Sequence, residues 1–122
     1  MISTWWEGHG WSAIPQAILP RLGALAVGDD STPLAAAWLY MDNSVGVAML
    51  EWLVSNPEAP PRQVLRALRA VVDFLKAEAE ALDYGVVLAT CRQASLSAVL
   101  CKEGFQVTDS GVIHHISTRT AA

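Results

Sequence analysis

Gly46-Val47-Ala48-Met49-Leu50-Glu51-Trp52-Leu53-Val54-Ser55, followed by Asn56-Pro57-Glu58-Ala59-Pro60-Pro61, decides how this chain folds. The first ten residues read as one long apolar strand, interrupted only by Glu51. Three prolines in the next six residues mark a loop. Beyond it, Val64, Leu68, Val71, Val72, Leu75 and Leu82 recur at helical spacing, which predicts a helix over about 61–82. Pro61 then sits at the first turn, where a missing N–H does no harm. Asp83-Tyr84-Gly85 ends the helix, with glycine the usual left-handed terminator. Val86-Val87-Leu88-Ala89-Thr90 is a short apolar run, the pattern of a buried parallel strand. Strand, helix and strand together make one right-handed βαβ unit over 46–90.

Upstream, 22–27 reads as a short strand, Gly28-Asp29-Asp30-Ser31 as a turn, and 34–40 as a second strand. That strand reaches Asp42-Asn43-Ser44, a hairpin turn into 46–55. Three strands at short spacing imply an antiparallel meander over 21–55. Residues 1–20 carry Trp5, Trp6 and Trp11, and Pro15 and Pro20 limit any helix there to short pieces. Downstream of the βαβ unit, 93–103 reads as a second helix stopped by Gly104. Residues 105–107 and 112–116 read as a closing hairpin around Asp109-Ser110-Gly111. The fold class is α+β, or mixed α/β, in a single domain, with helices covering a mostly antiparallel sheet.

The 122 residues suit one domain, 52% of them are hydrophobic and only 16% charged, and the mean hydropathy is +0.31. That balance excludes intrinsic disorder. The net charge of −4 gives no support to duplex binding, which calls for a basic excess. No apolar run reaches the ~20 residues of a membrane span. The N-terminal stretch has no basic and apolar pattern of a secretory signal. Cys91 and Cys101 match no zinc or CxxC spacing. A cytoplasmic protein with reduced thiols is therefore expected.

Two features carry chemistry. Arg62, Arg66 and Arg69 lie on one face at the start of the long helix, three of eight basic residues in an acidic chain. Helix starts favour anions, so arginines there suit a phosphate ligand. The alternative is that they are solvated and paired with Glu58 or Asp73. Glu51 either faces solvent by alternation or sits in a cleft, where its pKa rises and it acts as a general base. The tryptophans of 1–20 either pack a helix onto the sheet or line an acceptor pocket. Tyr40 and Trp52 have the same two readings. His114 and His115, adjacent in a strand, face opposite sides and cannot both ligate one metal; one of them either reaches the acceptor site or is a half-buried strand residue. His9 has no identifiable partner, and no metal site is expected.

The order strand, proline loop, arginine helix, apolar strand, short helix, Gly104-Phe105 resembles the GNAT acyltransferase fold over about 24–116. The last helix with its Gly-Phe is the strongest local match. Leu53-Val54-Ser55-Asn56-Pro57 resembles the family's fourth strand and the start of its pyrophosphate loop. Asp42-Asn43-Ser44 and Glu51-Trp52-Leu53-Val54 also resemble small acetyltransferase-like proteins of bacteriophages. The resemblance implies that the strands 46–55 and 86–90 are parallel neighbours that splay apart, with acetyl-CoA or another acyl-CoA between them. The pyrophosphate then falls on Arg62, Gln63, Val64, Leu65 and Arg66. Leu53, Val54 and Ser55 meet the pantetheine, and Gln93 takes the place of a frequent asparagine. Glu51 becomes the base that deprotonates an amine acceptor, either a small molecule or a protein lysine.

Two departures stand out. The family's glycines at the helix start are replaced by Pro60-Pro61-Arg62-Gln63-Val64-Leu65, although glycine is what allows close approach to phosphate. The family's tyrosine, four residues before Gly-Phe, is Leu100 here, with Cys101 about 100° away around the helix. The resemblance thus implies a divergent acyltransferase attacking directly, without a covalent intermediate. The alternative is a GNAT-fold protein without catalysis that binds a host protein or a second copy of itself. Nucleobase modification is a third and weaker reading, and no membrane partner is expected.

Overall fold

The computed structural model describes residues 2–115 and 117. Four strands form one sheet: β1 (Gly23–Val27), β2 (Pro33–Met41), β3 (Val47–Ser55) and β4 (Val86–Ala89). Three α-helices accompany them: α1 (Ile2–Gly8), α2 (Pro61–Ala81) and α3 (Ala94–Lys102). A single 3-10 turn lies at Gln16–Ile18. The strand order is β1-β2-β3-β4. The first two pairings are antiparallel and β3/β4 is parallel, as the βαβ reading requires.

The turn between β2 and β3 is built on Asp42. Its Oδ1 accepts from the Ser44 N–H at 2.7 Å, the Ser44 hydroxyl and the Val45 N–H. These donors, the Ser44 hydroxyl first, hold the Asp42 carboxyl below its ordinary value. The sheet is covered on one face and, on the other, at its centre. On one, α2 and α3 cover Ala35, Ala37, Leu39, Ala48, Leu50 and Leu53, with Leu68, Val72, Leu75 and Val99 facing them. On the other, Trp5 and Trp6 of α1 cover Ala36 and Val54. The N-terminal tryptophans at 5 and 6 are therefore packing residues. No helix among the described residues is long and apolar enough to cross a membrane.

Three expectations are corrected. Helix α2 is stopped by Asp83, not Gly85. Asp83 takes φ 65°, its N–H bonds to the Glu80 carbonyl, and the Tyr84 N–H bonds to the Ala79 carbonyl. Aspartate tolerates this conformation, and the early stop lets the Tyr84 hydroxyl reach the Asp42 carbonyl at 2.9 Å. The closing hairpin is also absent from the described residues. Residues 105–115 contain no strand, and Ile116 lies outside the described set. Val107, Val112 and Ile113 are exposed, and so are Val86 and Leu88, so β4 is parallel as expected but an edge strand open on one face, not a buried one. The four-residue β4 is the edge that such a hairpin would have to extend.

The Gly104-Phe105 pair has a local cause. The Gly104 N–H bonds to the Cys101 carbonyl and the Phe105 N–H to the Leu100 carbonyl, the paired bonds of a Schellman stop. Gly104 has φ 93°, and a Cβ there would stand 2.9 Å from Lys76 Nζ. Lys76 donates to the Glu103 carbonyl and Arg69 pairs with Glu103 at 2.8 Å, so α2 holds the end of α3.

Candidate functional site

Strands β3 and β4 are parallel, so their carboxyl ends meet at one edge of the sheet. The amino ends of α2 and α3 follow directly from those strand ends. Such edges are where open sheets take ligands. Pairing of β3 with β4 runs only from Val47↔Val86 to Leu50↔Ala89. Residues 51–55 continue beside β2 alone, so a gap opens beyond Leu50.

A bulge widens that gap. Ala36 pairs with Val54, but Trp38 pairs with Glu51, so β3 carries one residue more than β2 across the step. Trp52 absorbs it with φ 62°, a strained value for an aromatic residue that costs ~1–3 kcal/mol. The core-facing residues run 48, 50, 53 instead of 48, 50, 52. The bulge also turns the backbone. The Asn56 N–H bonds to the Leu34 carbonyl, so by ladder alternation Val54 pairs toward β2 while Ser55 presents its N–H and C=O to the gap.

Glu51 lies where the two strands part. It lines a small cavity with Trp6, Trp11, Trp52, Leu53, Thr90, Cys91, Arg92 and His114, so one of the two sequence-flagged histidines does reach this site, from a segment without strand structure. The Thr90 hydroxyl donates to Glu51 Oε1 at 3.0 Å, and Oε2 makes no hydrogen bond among the described residues. Burial pushes the Glu51 carboxyl above its ordinary 4.5, and the Thr90 bond offsets this only in part. A partly desolvated carboxylate with one free oxygen is equipped to accept a proton.

The N-terminal arm forms the near wall. His9 Nε2 lies 2.9 Å from the Ser55 carbonyl oxygen and 3.3 Å from Ser55 Oγ, so His9 does have a partner. Its ring stacks on Trp11 at 4.9 Å. Gly8 allows this docking, since a Cβ there would stand 2.7 Å from the Pro57 ring. Trp52 donates its indole N–H to the Tyr40 hydroxyl at 2.8 Å, and Tyr40 donates to the Ile18 carbonyl.

The first turns of α2 carry the expected anion-binding residues. Arg62, Gln63, Leu65 and Arg66 are exposed, whereas Val64 packs its side chain against the core. The Val64 N–H is taken by the Pro60 carbonyl, the Glu58 N–H by Asn56 Oδ1 and the Ala59 N–H by the Asn56 carbonyl. Pro57, Pro60 and Pro61 have no N–H to give. The Arg62 and Gln63 amides are thus the donors left at this helix start, beside the Arg62 and Arg66 guanidinium groups. Arg69 is committed to Glu103.

The structure therefore gathers Glu51 and Leu53 around one cavity and brings Ser55 to the gap. Val54 is buried under α1. Gln93 caps α3, and its side-chain Oε1 accepts from the Ser95 hydroxyl. Leu100 is buried in the core and offers no proton. Cys101 is exposed. Cys91 is half-buried at the end of β4, where burial pushes its thiol up and keeps it protonated. A wider hollow lies along the outer side of β4, lined by Cys91, Leu100, Phe105 and 106–112. No residue from 62 to 66 borders it. No cluster of potential metal ligands occurs among the described residues. The sequence reading missed Thr90, Arg92 and the bulge. The near-uniform apolar run 47–54 carried no signal for the bulge.

No protein-family model and no curated protein sequence matches the chain. Solved structures do. A probable acetyltransferase superposes with a TM-score of 0.64 at 12% identity, over 98% of this chain and 88% of that one. A GNAT-family acetyltransferase from Streptococcus pneumoniae TIGR4 gives 0.64 at 15% identity, over 96% and 89%. Glucosamine-6-phosphate N-acetyltransferase from Arabidopsis thaliana gives 0.58 at 13% identity, over 78% and 66%. This chain has their fold.

Proposed function

We propose that this GNAT-fold chain is an acyl-CoA-dependent N-acyltransferase that moves an acetyl or other acyl group onto an amine. The observation that carries the reading is the parting of β3 from β4 beyond Leu50, with the partly buried Glu51 carboxylate at the fork. The fold's solved relatives named as acetyltransferases support it at the level of reaction class.

The residues present fit the cofactor in part. Arg62 and Arg66 would hold the pyrophosphate with the Arg62 and Gln63 amides, although three prolines remove donors from the same loop. Ser55 and Leu53 would meet the pantetheine through backbone, Ser55 through its N–H while His9 keeps its carbonyl. Val64 and Leu65 would contribute position more than contact, and Gln93 would border the thioester from the start of α3. The cofactor supplies an activated acyl thioester. Glu51 takes a proton from the amine, directly or through water, and the amine attacks without an acyl-enzyme. The Cys91 thiol, which lines the same cavity as Glu51, would be a candidate for returning a proton to the leaving thiolate, a role Leu100 has no group to fill. The acceptor is a small amine or a protein lysine.

Release of CoA thiol from acetyl-CoA in the presence of an amine panel tests this reading. Thiol release that depends on both amine and Glu51 supports it, and none with any amine opposes it. A second reading, a binding protein without catalysis, is favoured by the proline-filled helix start and the buried Leu100. It requires a protein partner, a host protein or a second copy, captured with no turnover.

A further inference from the structure

The cavity beside Glu51 holds a feature the transfer chemistry does not use. The Arg92 guanidinium carbon lies 5.4 Å from the centre of the Trp11 ring and 6.0 Å from that of Trp52. Trp11, Trp52, Glu51 and Arg92 all line this cavity.

Both indoles are held from behind. Trp52 is fixed through its N–H to the Tyr40 hydroxyl and onward to Ile18. Trp11 is fixed by its stack on His9, whose ring nitrogen is held at Ser55. Two indole faces set beside a carboxylate attract a cation, since the ring faces are negative. Arg92 is exposed and makes no ion pair among the described residues. Its distance to Trp52 is at the ~6 Å limit of useful attraction. It occupies the seat loosely.

We propose that Trp11, Trp52 and Glu51 form the seat for the acceptor's ammonium group, and that Arg92 is a plug which the incoming cation displaces. This rests on the acyltransferase reading and sharpens it. The acceptor is an aliphatic primary amine that arrives as ammonium, not an alcohol or a neutral aromatic amine. In the seat, one ammonium N–H bond breaks and an O–H bond forms on the Glu51 carboxylate. The nitrogen keeps the electron pair and becomes a neutral nucleophile.

The test is a titration of the full chain with n-butylammonium chloride, followed by the indole N–H resonances of 15N-labelled protein. Trp11→Phe and Trp52→Phe assign the two signals. The Trp11 and Trp52 resonances are expected to shift while those of Trp5 and Trp38, which do not line the cavity, stay. Arg92→Ala, at an exposed position, is expected to tighten binding at least threefold. Neutral n-butanol should shift nothing. Equal shifts with n-butanol, or unchanged or weaker binding in Arg92→Ala, would overturn the seat. A lysine-containing tetrapeptide forms the second arm: shifts with both ligands put protein lysines within reach, and shifts with n-butylammonium alone confine the seat to small amines. Thiol release is measured separately. A seat that binds without turnover removes the acyltransferase reading and leaves the seat, and turnover with silent resonances does the reverse.

Discussion

Glu51 is the residue on which stability and activity are expected to oppose each other. Burial raises its pKa above 4.5, so folding favours the neutral form. The stabilisation is complete below the unfolded value and is lost as pH rises through the folded one. Proton acceptance needs the carboxylate, so turnover should rise over the same window. Glu51→Gln keeps the shape and removes the charge. It should lower kcat about 100-fold or more, the usual share of a general base, and raise the melting temperature at pH 7 by a few degrees. Rate profiles and thermal melts from pH 4 to 8 check both halves, and a variant with full activity would remove Glu51 from the reaction. Tyr40 is a quieter case. Its hydroxyl accepts from Trp52 and donates to Ile18, so Tyr40→Phe leaves two half-buried groups unpaired, at about 1–3 kcal/mol. Urea unfolding measures that cost. At this scale the sequence was readable where a residue type is out of place. A carboxylate among Leu50, Trp52 and Leu53 points to itself. The left-handed turn at Trp52 does not, because a strained conformation is imposed by the neighbouring strand and leaves the residue type unchanged.

Among the elements, the start of α2 bears most of the functional argument. Three prolines make the loop stiff and poor in donors, so under the proposed reading charge would do what glycine amides otherwise do. Truncating Arg62 and Arg66 together should therefore weaken CoA binding at least tenfold, measured by calorimetry, with no change in fold by circular dichroism. Unchanged affinity would take both arginines out of the site. The strands and helices were legible because period and punctuation agreed: proline before α2, glycine after α3, Asp42 in the hairpin. The closing hairpin misled because Val107, Val112 and Ile113 look like strand residues in isolation. Whether they pair depends on a partner edge, and β4 supplies only four residues. The stop of α2 fell within one residue of the expected Leu82, and only its left-handed residue differs, Asp83 in place of a glycine.

At the scale of the whole molecule, connectivity alone brings two strand ends and two helix starts to one edge, and that much follows from the sequence of elements. What the sequence could not show is how the N-terminal arm closes that edge. Trp11 and His9 lie more than 40 residues from Ser55 and Trp52, and only the folded chain reveals that they share a wall. The fold is that of acetyltransferases which share at most 15% of its residues among those compared, so shape and chemistry have to be tested separately. The most direct measurement is a calorimetric titration of the full chain with acetyl-CoA, with CoA and ATP alongside. Binding in the micromolar range, about 8 kcal/mol, with acetyl-CoA preferred over ATP, is the expected result. No heat at millimolar acetyl-CoA would contradict the cofactor cleft and leave a protein-binding role as the reading to pursue.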